Sequence, residues 1–136
     1  MERKIKLKNV TKTDYEFLYI MLKERDSKTN ISHKKIPTFK EHVKFVTSKP
    51  YSYWYIIIMG GTKVGSIYLT KQNEIGLFIK KDYQGHLIGQ NVIQILMKKH
   101  PCKRFLANIN PKNTKSINFF KNNGFSLIQH TYELEN

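Results

Sequence analysis

The chain lacks the features that would brace it covalently or hold it in a membrane. Its 136 residues include one cysteine, Cys102. A single thiol cannot close an intramolecular disulfide, so the fold must rest on its core, as suits a reducing compartment. Cys102 stands between Pro101 and Lys103 and is read as incidental rather than as a nucleophile. No run approaches the ~18 uninterrupted apolar residues of a membrane span, and residues 1–8 lack the apolar centre of a signal peptide. The expected setting is the cytoplasm. Internal repeats, linkers and low-complexity tracts are missing too, which leaves one expected domain over residues 1–136. A domain of that size buries roughly 68% of the surface of its unfolded chain.

Negative charge is also scarce. Ten Asp and Glu face 24 Lys and Arg, for a net charge of +14. Two explanations stand: a polyanionic partner, or a compositional bias in which 21 Lys outnumber 3 Arg and Asn, Ile, Phe and Tyr are frequent. The lysines are scattered from Lys4 to Lys121, and no basic motif interleaved with aromatics is present. Nucleic acid is therefore not the expected partner, whereas small anionic ligands suit the charge.

What is present is patterning. Residues 5–10 alternate with period two and predict an opening strand; Thr11 and Asp14 have capping-box spacing before a helix over 12–24. Residues 25–35 carry no periodicity and predict a loop. Thr38 and Glu41 repeat the capping-box spacing, and Phe39, His42, Val43 and Val46 form the apolar stripe of a second helix. The apolar run 53–59, the Gly60-Gly61 pair and the segment 63–70 predict a hairpin. A strand over 73–79 follows, with Gly76 hinting at a bulge or a close approach. A helix over 86–99, a strand over 104–109, a helix from the Asn113 cap to Asn122, Gly124 as its terminator and a closing strand over 126–135 complete the order. The fold class is α/β (α+β), with a mixed, mostly antiparallel sheet flanked by about four helices.

The chain is organised around the turn between the 73–79 strand and the 86–99 helix: Ile79-Lys80-Lys81-Asp82-Tyr83-Gln84-Gly85-His86-Leu87-Ile88-Gly89. Unpaired N–H groups at a helix start bind anions, and glycines let the main chain approach them. By themselves two glycines also fit an ordinary packing turn. The segment Gln84-Gly85-His86-Leu87-Ile88-Gly89 resembles the acyl-CoA pyrophosphate loop of the GNAT N-acetyltransferases, (Gln/Arg)-x-x-Gly-x-(Gly/Ala), with Leu87 where the pattern has its first glycine. A second block of that family is matched by Asn113, Ser116, Phe119, Phe120, Gly124 and Phe125. The resemblance covers nearly the whole chain and implies acetyl-CoA as cofactor. It implies that Leu77 and Ile79 offer free main-chain groups to the pantetheine arm, with Asn113, Ser116 and Phe120 also at CoA-contacting positions. Asn113 and Ser116 read equally well as a helix cap and a small packing residue.

An acetyl acceptor must be a neutral amine, and an alkyl ammonium of pKa ~10.4 is only about one part in a few thousand neutral at pH 7. Glu74 is the one carboxylate on the strand lining the expected cleft and is the candidate base; its other reading is a solvated strand-end glutamate. His42 is a core histidine or, if it faces the cleft, an orienting group or base. Phe120 stands where the family often has a thiolate-protonating tyrosine. The words Lys23-Glu24-Arg25-Asp26 and Ile36-Pro37-Thr38-Phe39-Lys40-Glu41-His42 resemble GNAT enzymes acting on nucleotide-linked amino sugars of surface-glycan pathways. That implies a small-molecule amine on an anionic nucleotide sugar, with Arg25 on a phosphate and Trp54 on a ring. The alternatives are a protein N-terminal or small-amine acetyltransferase, and a basic module that binds acyl-CoA or nucleic acid without turnover. A homodimer is left open, and no metal site is expected.

Overall fold

The computed structural model describes residues 4–25, 36–85 and 87–136. Four strands, β1 (Ile5–Asn9), β2 (Tyr53–Met59), β3 (Thr62–Leu69) and β4 (Ile75–Ile79), form one antiparallel sheet in chain order. Four helices surround it: α1 (Tyr15–Glu24), α2 (Phe39–Thr47), α3 (Ile88–Lys99) and α4 (Thr114–Asn122). Each run of alternating or β-branched residues predicted as a strand up to β4 is found as one. Gly60 and Gly61 turn the β2–β3 hairpin with φ of 56° and 83°, the left-handed values that a two-residue turn requires.

The alternation sorts the sheet into two faces. Tyr55, Ile57, Ile67, Leu69 and Ile75 meet Val92, Ile93, Leu96 and Phe120 of α3 and α4 in the main core. On the opposite face Ile56 packs with Leu18 of α1 and Val46 of α2, and Trp54 and Ile58 border them. A bulge at Val64 shifts the β2–β3 register between Ile57 and Ile58. The α2 capping box forms: the Glu41 N–H donates to Thr38 Oγ1 (3.2 Å) and the Thr38 N–H to Glu41 Oε1 (3.0 Å). At the start of α1 a 3-10 turn over Lys12–Asp14 precedes the helix. Asp14 is fully buried there and accepts from Lys8 Nζ at 2.6 Å and Lys63 Nζ at 2.7 Å. It thereby joins β1, β3 and α1.

Three expectations are corrected. The helix predicted over 86–99 begins at Ile88. Residues 104–109 are not a full strand: only Leu106 pairs, in a parallel bridge with Glu74. The predicted closing strand over 126–135 is absent among the described residues: no main-chain hydrogen bond pairs that segment with one of the described strands. The expected loop over 25–35 falls, apart from Arg25, outside the described residues.

Candidate active site

The single bridge at Leu106 sets the geometry of the site. The Ile75 N–H donates to Leu106 O (2.7 Å), and the Leu106 N–H donates to Asn73 O (2.9 Å). On the β3 side, Thr70 N–H reaches Glu74 O and Lys80 N–H reaches Val64 O, both at 2.9 Å. Even-numbered residues of β4 therefore bond to β3, and Ile75, Leu77 and Ile79 turn their main-chain groups the other way. Beyond Ile75 no main-chain bond reaches 104–109 among the described residues. The two segments part, and Leu77 offers both its N–H and its C=O to the gap. The Ile79 C=O accepts from Gln84 Nε2 at 2.9 Å.

The loop at the open end of this gap uses its residues differently from one another. Gly85 has φ of 82°, which a side chain would strain. Gly89 is there for packing: a Cβ would lie 3.0 Å from the Phe119 ring and 3.3 Å from Leu77. Leu87 is the N-cap of α3 with φ of 60°, so it adopts the left-handed conformation natural to the glycine of the family pattern. Its side chain is 70% exposed, directed away from the core. The first N–H groups of α3 precede the first intrahelical acceptors and remain available to an anion. Lys115 Nζ donates to Gln84 Oε1 at 2.9 Å, placing a cation beside the loop. Asn113 caps α4, accepting from the Ser116 N–H at 3.2 Å. Phe120 is buried in the main core against Phe119 and Phe125. His86 lies outside the described residues. An open main-chain edge, a helix start and a lysine together suit a ligand with an amide arm and a pyrophosphate.

Glu74 sits where the two segments part. Thr70 Oγ1 donates to its Oε1 (3.1 Å), Asn108 Nδ2 donates to its Oε2, and its own N–H donates to Thr70 Oγ1 (3.0 Å). The carboxylate is half-buried and oriented on both oxygens, yet each oxygen retains a lone pair for a further donor.

Gly76 and Phe78 follow Glu74 on the same face of β4, and an aromatic cluster covers them. The Tyr68 ring lies across Gly76 so closely that a Cβ would come within 2.0 Å of it. Tyr51 stacks on Tyr68 with centroids 3.8 Å apart, and Trp54 meets Tyr51 edge-on at 4.8 Å. Arg25 places its guanidinium 3.6 Å from the Phe78 ring centroid. Burial lowers the Arg25 pKa, the two phenols acting against it, and burial raises those of Tyr51 and Tyr68. Arg25 Nε and Trp54 Nε1 are buried donors without a hydrogen-bond partner among the described residues. Buried donors beside aromatic rings are suited to meeting an oxygen atom. His42 is 5% exposed, between the rings of Tyr19 at 5.3 Å and Phe39 at 6.4 Å. It packs in the α1–α2 seam.

Sequence reading did not single out Tyr51, Tyr68, Thr70, Asn108 or Lys115. Only Gly76 hinted at a close approach, which Tyr68 turns out to make. A cavity of ≈ 370 Å³ lies at the far end of α3, lined among others by Tyr53, Thr70, Lys99 and His100. It includes neither the loop nor the gap, and the main-chain geometry is the better guide to the site. No described helix is long and apolar enough to cross a membrane. Among the described residues no group of three or more His, Cys, Asp or Glu could hold a metal.

Solved structures share this architecture. A domain from Methanocaldococcus jannaschii superposes with a TM-score of 0.84 at 25% identity, over 97% of this chain and 94% of that one. An acetyltransferase from Thermus thermophilus gives 0.74 at 20% identity, over 95% and 92%. An aminoglycoside N-acetyltransferase in complex with CoA gives 0.76 at 13% identity, over 100% and 97%. No curated protein sequence matches the chain. The model of the acetyltransferase (GNAT) family matches residues 15–125. With that span matched on a sheet that parts at Leu106 and a loop that opens α3, the chain belongs to the GNAT family of acetyl-CoA-dependent N-acetyltransferases.

Proposed function

We propose that the chain acetylates the primary amine of a nucleotide-activated amino sugar, with Glu74 as the base. The orientation of Glu74 by Thr70 and Asn108 at the parting of β4 carries the reading. Leu77 and Ile79 would hold the pantetheine arm of acetyl-CoA, and Gln84, Gly85, His86, Leu87, Ile88 and Gly89 its pyrophosphate, with Lys115 adding a charge. Asn113 and Ser116 would line the same side. When bound, acetyl-CoA supplies an acetyl thioester open to attack by a neutral amine. Glu74 accepts the proton that the ammonium must lose, directly or through one water. Phe120 is enclosed in the core and donates no proton.

The nucleotide is supported by the idle Nε of Arg25, which suits a phosphate oxygen, and by Trp54 and Tyr51 beside it, which suit a ring. The net charge of +14 favours an anionic acceptor over a polyamine or a cationic protein tail. The same reading keeps the protein in the cytoplasm, where nucleotide sugars are made.

The test is steady-state acetyl transfer to nucleotide-linked amino sugars, aminoglycosides, spermidine and a peptide N-terminus, with wild type and Glu74→Gln. Expected are turnover on the nucleotide-linked sugars and a fall of roughly 10²–10⁴ in kcat for Glu74→Gln, with CoA affinity unchanged. Full activity of Glu74→Gln would remove Glu74 from the role. Turnover confined to the other acceptors would remove the nucleotide sugar.

A further inference from the structure

The cavity at the far end of α3 is separated from the loop that opens α3 by twelve residues of helix, about 18 Å. Its volume of ≈ 370 Å³ is enough for a small metabolite. Three segments line it: the start of β2 with Ser52, the turn between β3 and β4 with Lys71 and Asn73, and the end of α3 with Lys99 and His100. Among the described residues no Asp or Glu lines it.

A buried pair fixes one wall. Tyr55 is 3% exposed, and its hydroxyl lies 2.6 Å from His100 Nε2; the His100 ring stacks on Tyr53 with centroids 3.6 Å apart. Burial raises the Tyr55 pKa, with Tyr53 adding to it, so the phenol keeps its proton. Burial and then the Lys99 charge lower that of His100, so the imidazole is neutral at pH 7. The phenol proton has no other acceptor among the described residues and is donated to Nε2. A neutral ring that accepts at Nε2 carries its own proton at Nδ1, a donor without a partner among the described residues. Asn73 is arranged alike. Cys102 Sγ donates to its Oδ1 at 3.5 Å, which leaves its side-chain N–H groups without a partner among the described residues.

With the Ser52 hydroxyl and the ammonium groups of Lys71 and Lys99, the cavity presents donors and positive charge. The end of a helix by itself disfavours an anion, but Lys98 and Lys99 in the last turn of α3 offset it. A cation would find no described carboxylate on these walls. We propose that the cavity is a second oxyanion site, separate from the loop that opens α3, and that it takes a small phosphate or carboxylate. Donors that the fold has already aligned cost little to reorganise when such a group binds. Thr70 also lines the cavity, and its Oγ1 donates to Glu74 Oε1, so the occupant adjoins the turn that holds Glu74.

The test is a titration of the full chain with inorganic phosphate and, separately, with succinate, followed by amide proton and nitrogen shifts. CoA is present at saturation, so that the start of α3 is already filled, and sodium chloride holds the ionic strength constant. Expected are saturable shifts at 52–53, 70–74 and 99–102 with a Kd of about 1 mM or tighter. The anion that produces them, phosphate, succinate or both, names the class that the site accepts. Replacing both exposed lysines, Lys71→Gln with Lys99→Gln, leaves the core untouched and is expected to weaken binding at least ~10-fold. The absence of saturable shifts at the cavity with either anion overturns the proposal. So do equal shifts with chloride alone, or binding that the double lysine variant leaves unchanged.

Discussion

The two faces of the sheet are built on different principles. Toward α3 and α4 the sheet presents aliphatic residues, and Ile57, Val64, Ile67, Val92, Ile93 and Leu96 are fully buried there. Toward α1 and α2 the cluster of buried apolar residues on the sheet is smaller among the described residues, Leu18, Val46 and Ile56, with Met21 and Leu22 of α1 also buried. Around it lie rings, an arginine and buried donors without acceptors among the described residues. A face of close-packed methyl groups gives stability and a fixed frame. A face of rings and unmatched N–H groups gives up some of that stability and gains places for a ligand. The loop and the Leu106 parting lie at the border, where the rigid face positions groups that the other face can use.

Three changes probe this contrast. Ile93→Ala, in the middle of the aliphatic face, should cost about 2–5 kcal/mol, seen as a fall in the thermal midpoint of on the order of 10 °C. A much smaller fall would mean that stability is not concentrated there.

Asp14→Asn comes next, at the pinned border of the other face. Burial works to raise the Asp14 pKa, but the hydrogen bonds from Lys63, Lys8 and the Thr11 N–H prevail and hold it at about 2, below the ordinary 3.8. The folded state therefore binds its proton later than the unfolded chain. The contribution, about 2 kcal/mol, is present above pH ~4 and lost as pH falls toward 2. Thermal melts between pH 2 and 7 should show the wild type and the variant converging at the acid end; parallel curves would dismiss the linkage.

The smallest effect is expected of Leu87→Gly. It relieves a left-handed φ of 60° on an exposed residue, for a gain of less than about 1 kcal/mol in chemical denaturation after the added freedom of the unfolded chain. A loss of stability would show that the exposed leucine packs on something.

Much of this was legible in the sequence, and what was not shares one cause. Runs such as 53–59, the capping boxes and the glycine pair at 60–61 speak through local preferences, and the elements follow them. The segment 104–109 has the composition of a strand, but a strand is made by a neighbour, and β4 keeps contact only at Leu106. The tail alternates as a strand should, yet among the described residues no main-chain hydrogen bond ties it into the sheet. At the site, Gln84, Gly85, Leu87 and Gly89 were visible as a pattern. Their division of labour was not, since whether a glycine serves φ or packing depends on Phe119, thirty residues on. Thr70 and Asn108 reach Glu74 from two different segments, and no spacing in the chain announces that meeting.

The gap beside β4 is fixed at one end by main chain and bordered at its open end by two side-chain hydrogen bonds, Ile79 to Gln84 to Lys115. The first is part of the sheet; the second is a pair of exposed hydrogen bonds, each worth on the order of 1 kcal/mol. Freeing the Ile79 C=O for a ligand thus requires rotation of an amide, and of the lysine side chain bonded to it, motions of picoseconds to nanoseconds at exposed positions. Loading here is a matter of rotamers rather than of sheet opening, and the frame that measures the ligand can stay still while its doorway moves.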